Sequence, residues 1–244
     1  MKSLTSHTPY GGNSWPANIK IERNGDNMIV LTLNSPNQNI EFLNDFINST
    51  TYPPSTEPKL DVEITQTDKY GFNFTVFRTG NPEDFIYKSV FGPFIMGKNY
   101  IEFSSTIPSR YVRGLGPRFN TTAAPKFKDY DTWTLNSKSS NVTQEFQPGT
   151  HPFYLGLEPN TSNAHGVFIQ SSTPMQIGTV PAPGFAYRAL MGAFKIYFFA
   201  GPTPVEVTKQ YTDIIGRPYL PPYWAFGYHL CRTVPNIEEE QTFK

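Results

Sequence analysis

Short runs in which apolar and polar residues alternate dominate the chain, and that period of two constrains the fold more than any other feature. In "KLDVEIT", Leu60, Val62 and Ile64 face one way and Asp61, Glu63 and Thr65 the other. "GFNFTVF" repeats the pattern with Phe72, Phe74 and Val76, leaving Asn73 on the opposite face. "NYIEFSS", "HPFYLGL", "GVFIQSS" and "FKIYFFA" are further short runs rich in aromatic and β-branched residues. Turn formers in "NGDN", "SPNQ", "RTGNP" and "EPNTSN" separate many of them. Successive strand side chains point to opposite faces, so runs of this kind, broken by Gly, Pro and Asn, predict an antiparallel β-sandwich.

The 244 residues are 38% hydrophobic and 15% aromatic, enough to bury a substantial core. Twenty basic residues balance twenty acidic ones, so no charge surplus points to nucleic acid or an anionic membrane surface. No apolar run reaches the roughly 18 to 20 residues that span a bilayer. The first residues, "MKSLTSHTPYGG", lack the apolar stretch of a signal peptide. Yet Asn48, Asn73, Asn120, Asn141 and Asn160 each begin an Asn-x-Ser/Thr glycosylation sequon. That pattern predicts passage through the secretory pathway, as a piece of a longer protein. The single cysteine, Cys231, excludes an internal disulfide and reads as a small buried hydrophobe.

One helix is well marked, in "GPTPVEVTKQYTDIIGRP". Thr203 is a good N-cap, Pro204 suits the first helical position, and Glu206 completes a capping box. Val207, Tyr211 and Ile214 share one helical face. Gly216 can take the left-handed position after the helix, and Pro218 blocks continuation. Beyond it, "RPYLPPYW" cannot be a central strand because proline lacks the donor, whereas "WAFGYHLC" reads as a strand covered on both faces. "IEEEQTFK" could start another helix. The predicted organisation is a sandwich over 1–201, a capped helix and Pro-rich connector over 202–222, and the opening strand of an α/β unit over 223–244.

"GPTPVEVTKQYTDIIGRPYLPPYWAFGYHLCR" closely resembles glycoside hydrolase family 31, of the α-glucosidase, maltase-glucoamylase and sucrase-isomaltase type. "STIPSRYVRGLG", "YDTWTL", "GTHPFYLGLE" and "NAHGVFIQSSTPMQI" resemble other pieces of that family in the family's order. The resemblance implies a galactose-mutarotase-like N-terminal β-sandwich followed by the first strand of a truncated (β/α)8 barrel. It implies hydrolysis of α-glucosides or related oligosaccharides with retention, and no cofactor or metal. It also implies three candidate locations: outside the cell, on a membrane through a longer parent, or in the lysosome.

Retaining glycosidases need two carboxyl groups about 5 to 5.5 Å apart. In the resembled family both come from later parts of the barrel, so no residue here is assigned as catalytic, and the chain alone is expected to be inactive. Asp129, Asp131, Glu145 and Glu158 read as solvated acids on loops and strand edges. The resemblance implies that the sandwich lends a loop to the substrate, its acid falling at Gln176 and a subsite tyrosine at Tyr187. An Asp accepts strongly from two hydroxyls, whereas Gln offers one acceptor and one donor group, so weaker or altered sugar binding is expected. Pro117, Phe194-Lys195 and Thr233-Val234-Pro235 also depart from the family pattern. His151, His165 and His229 are read as core or strand-edge residues on strands, and Trp15 and Trp133 have no spacing that singles them out as sugar platforms. The competing reading is a non-catalytic secreted sandwich that binds glycan or a protein partner.

Overall fold

The computed structural model describes residues 13, 15–37, 42, 52–67, 71–89, 94–116, 125, 127, 132–135 and 151–229. Among them the chain runs through strands β1 (Asn18–Asn24), β2 (Met28–Asn34), β3 (Leu60–Thr67), β4 (Gly71–Arg78), β5 (Asn81–Lys88), β6 (Ile95–Gly97) and β7 (Tyr100–Thr106). It continues through β8 (Val112–Gly114), β9 (Thr132–Leu135), β10 (Phe153–Leu157), β11 (Ala164–Ser171), β12 (Met175–Val180), β13 (Gly184–Ala189) and β14 (Phe194–Phe199). Helix α1 (Pro204–Ile215) and a 3-10 turn at Tyr223–Phe226 follow. The strands form two antiparallel sheets. One is six-stranded, in the order β1-β2-β14-β11-β10-β8, and the other is eight-stranded, β3-β4-β5-β7-β13-β12-β9, with β6 also on β7.

The inner faces of the two sheets meet in one core. Leu60, Phe74, Val76, Ile101, Phe103, Ile177 and Phe185 from one sheet pack with Ile29, Leu31, Leu33, Ile169, Phe194, Ile196 and Phe198 from the other. This is the predicted sandwich. The alternation in β3 fades along the strand: Leu60 is buried, Val62 half-buried and Ile64 exposed.

β2 and β14 are buried on both faces, which is why they read as continuous apolar runs. Their second face, with Met28, Val30, Tyr197 and Phe199, packs with Phe168 of β11 and with Ile214 of α1. The helix begins as expected: Thr203 Oγ1 accepts from Glu206 N at 3.2 Å, and Glu206 Oε2 accepts from Thr203 N at 3.1 Å. Val207 and Ile214 are buried, and Tyr211 stacks on Phe153 with ring centroids 4.0 Å apart. Val207 comes so close to β11 that a Cβ on Gly166 would lie 2.5 Å from its Cγ1. Helix and sheet can meet this tightly only over a glycine. Gly216 ends the helix at φ 87°.

The strand expected in "WAFGYHLC" is not formed within the described residues. Tyr223–Phe226 makes a 3-10 turn, and Tyr223, Trp224, Phe226 and Tyr228 are largely exposed. A strand needs a neighbour to take its backbone hydrogen bonds, and no described strand flanks this segment. Cys231 and the remainder of 230–244, including the expected helix start, lie outside the described residues.

Candidate functional site

The two residues singled out for sugar contact sit on adjacent strands but on opposite faces. Gln176 is the second residue of β12, half-buried, and pairs across the ladder with Arg188 of β13 on one side and Thr134 of β9 on the other. It belongs to a strand and not to the preceding loop. Tyr187 is one residue from Arg188, so its side chain turns inward and is fully buried. Its ring stacks on Phe103 at 4.7 Å. The reading of Tyr187 as a subsite residue is therefore corrected: with no exposed surface, it is a core tyrosine.

Around Tyr187 the core carries a polar knot. Its hydroxyl, those of Tyr87 and Tyr154, and the Ser105 hydroxyl are sealed from solvent without a hydrogen-bond partner of normal geometry among the described residues. Burial pushes Tyr187 well above the ordinary phenol range, although Ser105, Tyr87 and Tyr154 stand near enough to pull the other way. Burial likewise raises Tyr87 and Tyr154.

On the outer face Gln176 begins a polar row. Arg188 donates through Nε to Glu102 Oε1 at 2.9 Å, and Tyr100 hydrogen-bonds the other carboxylate oxygen of Glu102. Burial opposes the charge on Arg188, but Glu102 and Tyr100 outweigh it and hold the guanidinium more firmly protonated. The row offers an amide, a guanidinium and a carboxylate, groups that hydrogen-bond hydroxyls in both directions. Arg188 and Glu102 were not singled out in the sequence, and their only signal there is charge inside otherwise apolar strands.

A second polar cluster closes one end of the sandwich. Arg78, at the end of β4, donates to both carboxylate oxygens of Glu158, from Nη2 to Oε1 at 2.6 Å and from Nε to Oε2 at 3.2 Å. His165 Nδ1 lies 3.2 Å from Glu158 Oε1, and Thr161 Oγ1 donates to Oε2 at 2.8 Å. Burial would raise Glu158, but His165 and Arg78 together bring it down to about 2. Burial lowers His165, more than Glu158 raises it. Glu158 is thus not the solvated loop acid expected, and its oxygens are committed to structure. His165 is on β11 as expected, whereas His151 and His229 lie outside strands.

Of the sequons, Asn160 is exposed on the loop after β10, its amide 3.3 Å from Asp84 Oδ1. Asn73 is half-buried in β4, between β3 and β5. Asn48, Asn120 and Asn141 lie outside the described residues, as do Asp129, Asp131, Glu145 and Pro117. Trp15 packs partly buried against the core. Among the described residues no group of three His, Cys, Asp or Glu could hold a metal ion. No helix there is long and apolar enough to cross a membrane.

The same two-sheet sandwich fold recurs in solved glycoside hydrolase structures. No family model matches the chain. Human intestinal sucrase-isomaltase is 35% identical over 189 residues, 76% of this chain and 10% of that protein. Human probable maltase-glucoamylase 2 is 36% identical over 173 residues, 70% of this chain and 7% of that protein. Mouse lysosomal alpha-glucosidase is 35% identical over 141 residues, 57% of this chain and 14% of that protein. Among solved structures, a Flavobacterium johnsoniae GH31 dextranase superposes with a TM-score of 0.61 at 14% identity, over 89% of this chain and 30% of that one. The glucosidase II alpha subunit gives 0.57 at 12% identity, over 86% and 32%. The chain belongs to glycoside hydrolase family 31, of the α-glucosidase type. It spans about a tenth of the length of the curated relatives it matches.

Proposed function

We propose that this chain is the N-terminal sandwich and barrel approach of an α-glucosidase-like hydrolase that works in the secretory pathway. The reading rests on one observation: identity of 35% to sucrase-isomaltase over 76% of the chain. The name of the lysosomal relative and the exposed sequon at Asn160 support the location. In this reading the whole protein hydrolyses α-glucosides with retention. The carboxylate pair that retention requires, about 5 to 5.5 Å apart, belongs to the barrel. The sandwich supplies a sugar-facing edge through Gln176, backed by Arg188 and Glu102.

The test has two parts. The purified 244-residue chain is assayed on p-nitrophenyl α-D-glucoside, and no turnover is expected. The reading frame downstream of Lys244 is then sequenced, and a barrel strand of Trp-x-Asp-Met-Asn type is expected there. With the barrel joined, Gln176→Asp is expected to lower KM, because a carboxylate accepts more strongly than an amide. Hydrolysis by the chain alone would overturn the assignment. A stop codon after Lys244 would favour a glycan- or protein-binding sandwich instead.

A further inference from the structure

Asn73 and Asn160 are the two sequon asparagines among the described residues, and the fold treats them in opposite ways. Asn160 stands on the short loop that joins β10 to β11. Glu158 N donates to Asn163 O at 2.8 Å, and Ser162 N donates to Glu158 O at 3.1 Å. The base of the loop is thereby closed, and its tip holds Asn160 in solvent. The amide nitrogen of Asn160 lies 3.3 Å from Asp84 Oδ1. A primary amide carries two N–H donors, so one can stay on Asp84 while a substituent replaces the other.

Asn73 is half-buried in β4, with strands on both sides. Turned so that both ends of its amide are satisfied, it donates to Ser89 O at 3.0 Å and to Phe72 O at 3.1 Å. Both of its N–H groups are then in use. A sugar on this nitrogen would break one of the two bonds, leave a backbone carbonyl without its donor and wedge a bulky polar group against Ser89. The folded loop at Asn160 also dates the modification. Thr161 Oγ1, the hydroxyl of that sequon, donates to Glu158 Oε2 at 2.8 Å and accepts from Asn163 N at 3.2 Å. The sequon needs that hydroxyl, so transfer comes before the loop closes, and folding then decides which modified chains survive.

We propose that Asn160 carries an N-linked oligosaccharide in the folded protein and that Asn73 carries none. The bond formed joins Asn160 Nδ2 to C1 of the first sugar. The donor is an oligosaccharide held on a lipid diphosphate. Its C1–O bond breaks, the lipid diphosphate leaves with the electron pair, and Nδ2 gives up one proton to a base of the transferase. In the natural protein this modification rests on the secretory-pathway reading. The choice between the two asparagines rests on their geometry alone.

The test imposes entry to the pathway. The full 244-residue chain is expressed behind an added cleavable signal sequence in a secreting eukaryotic cell. Its peptides are treated with peptide N-glycosidase in heavy-oxygen water, which turns each glycosylated asparagine into labelled aspartate. Label is expected at Asn160 in the total pool, and not at Asn73 in chains that resist limited proteolysis. Asn160→Gln is expected to remove one glycan. Thr75→Val abolishes the other sequon while keeping the Asn73 amide and a β-branched side chain in the strand, and is expected to leave the number of glycans unchanged. The proposal is overturned if Asn160 stays unlabelled, if Asn73 is labelled in protease-resistant chains, or if Thr75→Val removes a glycan from them. The secretory reading fails separately, if the natural protein carries no glycan although Asn160 is labelled in this assay.

Discussion

Arg78 of the eight-stranded sheet grips both carboxylate oxygens of Glu158, which follows β10 of the six-stranded sheet, and so ties the two layers together. The same guanidinium donates to the carbonyls of Ala200 at 2.6 Å and Ala164 at 3.2 Å. The pair is nearly dry, with side chains 13% and 4% exposed. Removing one partner of such a pair strands a buried charge and costs about 3 to 5 kcal/mol. Arg78→Met should lower the urea midpoint accordingly, and Arg78→Met with Glu158→Leu should recover much of the loss. Equal melts for Arg78→Met and the parent would show that the pair does not join the layers.

The same cluster makes the fold acid-sensitive in two windows. Glu158 titrates at about 2 when folded and at 4.5 in its ordinary state, so its contribution is full above 4.5 and is lost as pH falls toward about 2. His165 is held neutral below its ordinary value of 6.5, so the unfolded chain takes up a proton first and stability declines as pH falls below 6.5. Denaturant melts from pH 7 to 2 should show both declines, and Glu158→Gln should flatten the lower one.

Gly166 is the point where α1 rests on β11. Gly166→Ala would set a methyl 2.5 Å from Val207 Cγ1 and 3.1 Å from Phe153 Cε2. Overpacking of this kind costs about 1 to 3 kcal/mol. Hydrogen exchange should find the α1 amides less protected while the inner sheets stay protected.

The segment after the helix is an exposed apolar surface. Tyr219, Leu220, Tyr223, Trp224, Phe226 and Tyr228 are 68% to 93% exposed. Large contiguous apolar surface promotes association. Ending the chain at Gly216 should raise solubility and reduce light scattering. Lower solubility would mean that this segment shields the sandwich.

Tyr187→Phe removes a buried hydroxyl that lacks a partner of normal geometry. Deleting such a group costs little or stabilises, so the melting temperature should hold or rise. A loss of about 1 kcal/mol or more, the worth of a formed hydrogen bond, would mean that the four hydroxyls form a closed network.

The sequence by itself determined the layers and the helix. Alternation at Phe72, Phe74 and Val76 and the Thr203–Glu206 box are local signals, carried by neighbouring residues and backbone sterics, and both appear as expected. Tertiary structure decided the rest. A period of two states that Tyr187 and Arg188 face opposite ways, but only the second sheet makes Tyr187's side the dry one. Likewise, no local pattern brings Arg78 to Glu158, eighty residues apart. "WAFGYHLC" carries strong strand propensity, yet its first residues form a 3-10 turn, because a strand is completed by a partner's backbone and not by its own side chains.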